Sequence, residues 1–102
     1  MLLMKTTCGT KKEAERICRA LVEEGIAACA SCHPCVSFFF WEGKLQKQAE
    51  YLVELKIRDG ACQKAGRRIK ALHPYSLPQI IALRVAKSSR EYARWVGKIG
   101  RA

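Results

Sequence analysis

The spacing of apolar residues along this chain changes several times, and each change marks a structural element. From Ala14 onward it is helical, with Ala14, Ile17, Cys18, Leu21 and Val22 on one stripe. Thr10-Lys11-Lys12-Glu13 precedes that stripe as a capping box, whose hydroxyl and carboxylate serve the free amides of the first turn. Gly25 follows as a natural left-handed stop. A second stripe of Ala61, Ala65, Ile69 and Leu72 predicts a helix from about Asp59 to Leu72. A third helix opens on another capping box, Ser88-Ser89-Arg90-Glu91, and turns Tyr92, Trp95, Val96 and Ile99 inward.

Between the helices the period becomes that of strands. Met1 to Thr7 is a short apolar strand, and Ile26 to Trp41 is a long one interrupted by Pro34. Trp41-Glu42-Gly43-Lys44 supplies a turn, after which Ala49 to Ile57 returns with Tyr51, Val53 and Leu55 alternating against Leu52, Glu54 and Lys56. Leu77 to Val85 is the fourth strand. The order β-α-β-β-α-β plus a terminal helix is that of a split βαβ, ferredoxin-like α+β sandwich. No linker, repeat or low-complexity tract divides it, so residues 1–102 are expected to form a single domain.

The second strand is far longer than the usual ~5–6 residues, so it must overhang the sheet. Phe38, Phe39, Phe40 and Trp41 lie on the overhang, and alternation places Phe38 and Phe40 on one face, Phe39 and Trp41 on the other. An apolar, unpaired strand end is an aggregation template unless another chain covers it. Strand pairing between subunits in a closed ring is the economical resolution.

The most constrained local segment is His73-Pro74-Tyr75-Ser76-Leu77-Pro78. Pro74 disfavours helical geometry at His73 and ends the second helix there. Pro78, lacking an N–H, belongs at the start of a strand or on an edge. The two prolines brace a helix-to-strand corner that carries an imidazole and a phenol, and this corner is a candidate site or subunit contact.

Composition narrows the function. No apolar run approaches the ~18 residues of a membrane span, and Met1-Leu2-Leu3-Met4-Lys5 lacks the length of a signal segment. A cytoplasmic location is expected, with no membrane partner. The net charge is +10, but the basic residues are scattered: Lys11, Lys12, Arg16 and Arg19; Lys64, Arg67, Arg68 and Lys70; Arg90, Arg94, Lys98 and Arg101. Charge of this kind predicts weak, salt-sensitive, non-specific nucleic-acid binding at most.

Six cysteines stand at positions 8, 18, 29, 32, 35 and 62. Cys29-Ala30-Ser31-Cys32-His33 has the spacing of a c-type haem attachment site, and Cys32-His33-Pro34-Cys35 that of a redox pair. On a strand, however, Cys29 and Cys35 share one face while Cys32 points to the other, and no helix begins there to lower a thiol pKa. Reduced thiols acting as small hydrophobes are the expected state.

Read together, these residues identify the chain as similar to the CutA family of divalent-cation tolerance proteins. The resemblance rests on Leu21-Val22-Glu23-Glu24 followed by Ile26-Ala27-Ala28-Cys29, on the hairpin tip Trp41-Glu42-Gly43-Lys44, and on Glu50 with the strand to Lys56. His73-Pro74-Tyr75 with Pro78, then Tyr92 with Trp95, follow in the family's order. It implies a homotrimer of PII-like architecture, a role in copper and divalent-cation tolerance, and no catalytic activity. Gln79 stands where a Glu usually follows the second proline, and Leu72 precedes His73 in place of a second histidine.

The expected function is therefore that of a trimeric, non-enzymatic copper-tolerance or response protein, holding a metal or small molecule in a cleft between subunits. His73 and Cys29 are the candidate metal ligands; Tyr75, Gln79, Trp41, Glu42 and Phe40 are the candidate cleft and interface residues. No cofactor is assigned with certainty, and Cu2+ or another divalent cation is the candidate ion, since neutral imidazole suits copper. The alternative is an RNA-binding ferredoxin-like domain. The third strand, Glu50-Tyr51-Leu52-Val53-Glu54-Leu55-Lys56, lacks the aromatic pattern of that class. A small copper chaperone would need two thiols in the first loop, where Thr6-Thr7-Cys8-Gly9 offers one.

Overall fold

Residues 1–99 are described here, from a computed structural model. In chain order they form β1 (Leu2–Cys8), α1 (Lys11–Glu23), β2 (Cys29–Trp41), β3 (Lys44–Ile57), a 3-10 turn (Asp59–Ala61), α2 (Cys62–Leu72), β4 (Ile81–Arg84) and α3 (Arg90–Lys98). The strands make one antiparallel sheet in the order β2-β3-β1-β4, which is the ferredoxin-like α+β arrangement that the element order implied. Arg101, the last of the scattered basic residues, lies outside the described residues.

Helix α1 starts where its capping box places it. Thr10 is the N-cap, its hydroxyl accepting the Glu13 amide, and Gly25 follows the C-cap in the left-handed region at φ 71°. Ala14, Ile17 and Leu21 from α1 and Ala65 and Ile69 from α2 meet Met4, Cys8, Val53, Leu55 and Ile57 from the sheet. Burial first, and the Glu13 carboxylate second, push the Cys8 thiol up to about 11. All six cysteines are free thiols.

Several elements differ from the sequence reading. Strand β2 begins at Cys29 and not at Ile26, because Ile26, Ala27 and Ala28 are buried in the connection that follows α1. Pro34 does not interrupt β2, because β2 is an edge strand and Pro34 pairs opposite Tyr51 without needing an outer donor. Strand β3 begins at Lys44, directly after the turn, and not at Ala49. Strand β4 begins at Ile81 and not at Leu77, so the braced corner continues as irregular chain through Ile80. Ser89, not Ser88, caps α3 by accepting the Tyr92 amide. In addition, α3 buries only Val96 fully, while Tyr92 and Trp95 stay exposed with their rings 5.7 Å apart.

The hairpin sets the shape of the molecule. Strand β1 covers β3 only from Tyr51 to Ile57, whereas β2 follows β3 all the way back to Lys44. The segment from Val36 to Gln48 therefore projects as a two-stranded arm, and the chain measures 45 × 25 × 21 Å. Glu42 and Gly43 at its tip both have positive φ, 53° and 77°, as a two-residue hairpin turn with matching twist requires.

Candidate functional site

The candidate site lies where the arm leaves the body, beneath the proline-braced corner. Helix α2 ends at His73, whose extended backbone (φ −78°, ψ 132°) is the geometry that Pro74 imposes. His73 itself is buried. Its Nε2 lies 2.7 Å from the Thr7 carbonyl, and its Nδ1 accepts the Tyr75 amide at 3.2 Å. These partners place the ring proton on Nε2, donating to Thr7. Cys8 Sγ packs 3.8 Å from the same nitrogen. The imidazole thus ties the corner to the end of β1.

Tyr75 extends the tie to β3. Its hydroxyl donates to the Glu50 carboxylate at 2.6 Å and accepts from Gln48 Nε2 at 3.1 Å. Gly9 leaves room for the approach, since a Cβ there would stand a tight 3.3 Å from the Tyr75 hydroxyl. Burial, followed by the Glu50 contact, holds the phenol well above its ordinary range. Glu50 is only 6% exposed although it stands at the foot of a projecting arm.

Around this tie opens a cleft of about 510 Å³. Its floor is Thr7 and Glu50, one wall is the arm (Ser37, Phe39, Trp41, Gln46, Gln48) and the other is the corner (Tyr75 to Leu77 and Gln79). Side-chain amides, hydroxyls, a carboxylate and aromatic rings converge here, a set that positions a small polar molecule by hydrogen bonds and stacking.

The expected site residues are divided by this geometry. Tyr75, Gln79 and Trp41 line the cleft together. Glu42 sits in the turn at the arm's tip, and Phe40, 75% exposed, does not line the cleft. The metal pair His73 and Cys29 does not meet within one chain. Cys29 pairs opposite Lys56 at the far end of β3, its Sγ 3.2 Å from the Tyr92 hydroxyl, whereas His73 is bound to the Thr7 end of β1. That contact with Cys29 raises the Tyr92 phenol above its usual range. Among the described residues, no three His, Cys, Asp or Glu side chains are grouped to hold a metal ion.

Gln48 and Thr7 were not singled out from sequence, and Glu50 entered only as a mark of the resemblance, not as a cleft residue. A signal existed: Gln46, Gln48 and Glu50 recur at period two on the strand segment that loses its β1 neighbour, so one face there is polar where the opposite strand is aromatic.

Known proteins share both sequence and architecture with this chain. Residues 2–98 match the family described as CutA1 divalent ion tolerance protein. The divalent-cation tolerance protein CutA of Thermus thermophilus is 40% identical over 91 residues, covering 88% of each chain. The structure of the periplasmic divalent cation tolerance protein CutA from Archaeoglobus fulgidus superposes with a TM-score of 0.93 at 32% identity, covering 96% of this chain and 97% of that one. The PII-like protein CutA from Nostoc sp. PCC 7120, in apo form, superposes with a TM-score of 0.89 at 35% identity, over 94% and 93% of the two chains. With the braced corner, the long hairpin and the sheet order all in place, the chain belongs to the CutA1 divalent ion tolerance family.

Proposed function

We propose that this chain works as a homotrimer in divalent-cation tolerance, with copper as the cation, and that it responds by binding a metal or small ligand in a cleft completed by a neighbouring subunit. The observation that carries the reading is the cleft at the foot of the arm. It joins an apolar arm with no cover of its own to a buried carboxylate held by Tyr75. Val36, Phe38, Phe40 and Leu45 on the arm are all more than half exposed in the single chain. By alternation these side chains lie on the face of the arm opposite Phe39 and Trp41, so another subunit there would cover them and the unpaired strand edge. Binding, not catalysis, is the activity assigned.

For a divalent ion, Glu50 is the carboxylate already in the cleft. His73 can serve only by giving up Thr7 or Tyr75, and Cys29 only from another subunit. The test couples assembly to binding. Light scattering at micromolar concentration should give the mass of a trimer for the wild type and a smaller or aggregated species for Phe40→Asp, because a charge desolvated in an apolar contact is costly unless paired. Isothermal titration of copper should then show binding that weakens in Glu50→Gln, with His73→Ala reporting whether the imidazole joins the shell. A stable wild-type monomer that binds copper equally well in both variants would overturn the reading.

A further inference from the structure

The helix-covered face of the sheet carries a second feature, away from the cleft. On β2, even-numbered side chains point toward α1, and Cys32 is among them, packed against the edge of the core with Cys18 of α1. Burial first, and the neighbouring Cys32 second, push the Cys18 thiol up to about 12. Both are half-buried, and both line a shallow depression of about 460 Å³ together with Val22, Ala30, Glu15 and the Arg19–Glu23 ion pair. Cys35 is on the opposite face of β2, as the alternation requires.

The number and kind of donors select the ligand. A zinc-like divalent ion takes about four ligands in a tetrahedron, and among the described residues no group of three or more suitable side chains exists. Two thiols in one depression suit a soft d10 monovalent ion, which prefers thiolate over nitrogen or oxygen. We propose that Cys18 and Cys32 form a two-thiolate site for a soft monovalent cation of the copper(I) or silver(I) type, on the face of the sheet opposite the cleft. On binding, each S–H bond breaks and each proton passes to solvent, while each sulfur donates an electron pair to the ion. The product is a bis-thiolate complex with one net negative charge, and nothing is oxidised or reduced.

The experiment uses the full chain, reduced and kept free of oxygen, titrated with silver nitrate. Sulfur-to-metal absorption in the near ultraviolet and a pH indicator are read together. The expected result is one tightly held ion per chain with two protons released. Cys18→Ser and Cys32→Ser should each weaken binding by more than the roughly 10- to 100-fold that loss of an outer-shell partner causes. Cys35→Ser and Cys62→Ser should retain wild-type affinity. Circular dichroism checks that each variant is folded, with alanine replacing serine in any that is not. Unchanged affinity in Cys32→Ser, or an equal loss in Cys35→Ser, would overturn the assignment. Because Glu50 and the arm are untouched by these variants, failure here is distinct from failure of the cleft reading.

Discussion

Strands β2 and β3 pass through two environments, and the contrast explains most of this molecule. In the body, from Cys29 to Cys32 and from Val53 to Ile57, helices α1 and α2 cover one face, and Val53, Leu55 and Ile57 have no exposure at all. In the arm, from Val36 to Gln48, the same two strands keep their mutual hydrogen-bond register but have no helix above them. Phe38, Phe40 and Leu45 are 63%, 75% and 64% exposed there. Hydrophobicity is similar in the two regions; its occupant is not. Body residues stabilise the chain itself, while arm residues are available to something outside it.

The largest effect should separate the two directly. Leu55→Ala removes a fully buried side chain, and denaturant unfolding should show a loss of about 2–5 kcal/mol. Phe40→Ala deletes a larger side chain but should change concentration-independent unfolding by only about 0.5 kcal/mol or less, as at an ordinary surface position. Its effect should appear in the assembly, as a mass that falls on dilution. If Phe40→Ala unfolds the chain as severely as Leu55→Ala at every concentration, the arm belongs to the body's core and the contrast fails.

The body was the more legible half in sequence. Helix stripes, the Thr10 cap, the Gly25 stop and the Pro74 break all act within a few residues, so local chemistry placed α1 and the end of α2. What local pattern missed depends on partners distant along the chain. Pro34 is tolerated because β2 lies at the edge, which only the sheet order reveals. Glu50 is buried because Tyr75, 25 residues later, folds over it. The imidazole of His73 looked available as a ligand, yet Thr7, 66 residues earlier, engages it. Tyr92 and Trp95 have helical core spacing, but α3 is too short and too peripheral to bury them in the single chain.

Alkaline titration is a subtler probe of the body. Cys8 has no exposure, and burial, then Glu13, Glu50 and Cys32, raise its thiol from an ordinary 9.0 to about 11; the His73 ring stands 3.8 Å away. The folded chain therefore holds that proton more tightly than the unfolded chain does. This contribution is complete below pH 9.0 and is lost as pH rises toward 11. Its size is on the order of 1–3 kcal/mol. Unfolding free energies of wild type and Cys8→Ala, measured across that window, should converge as pH rises. Parallel curves would show that Cys8 does not govern the alkaline limb. No arm residue should produce such a pH dependence, because none carries a buried thiol.

The smallest effect lies at the arm's tip and tests how independent the arm is. Glu42 holds φ at 53°, a left-handed conformation that a residue with a Cβ adopts at a cost and that asparagine tolerates better. Gly43, at φ 77°, already meets the same demand at the second turn position. Glu42→Asn creates the Asn-Gly pair favoured in two-residue hairpin turns and should stabilise the tip by roughly 0.5–1 kcal/mol. A β-branched residue in its place, Glu42→Val, should loosen it. Because the turn is separated from the core by the length of the arm, the change should appear as altered hydrogen-exchange protection of the amides near Trp41 and Lys44. The global unfolding midpoint of the isolated chain should hardly move. A midpoint that shifts as far as the local protection would mean that the arm and the body unfold as one unit.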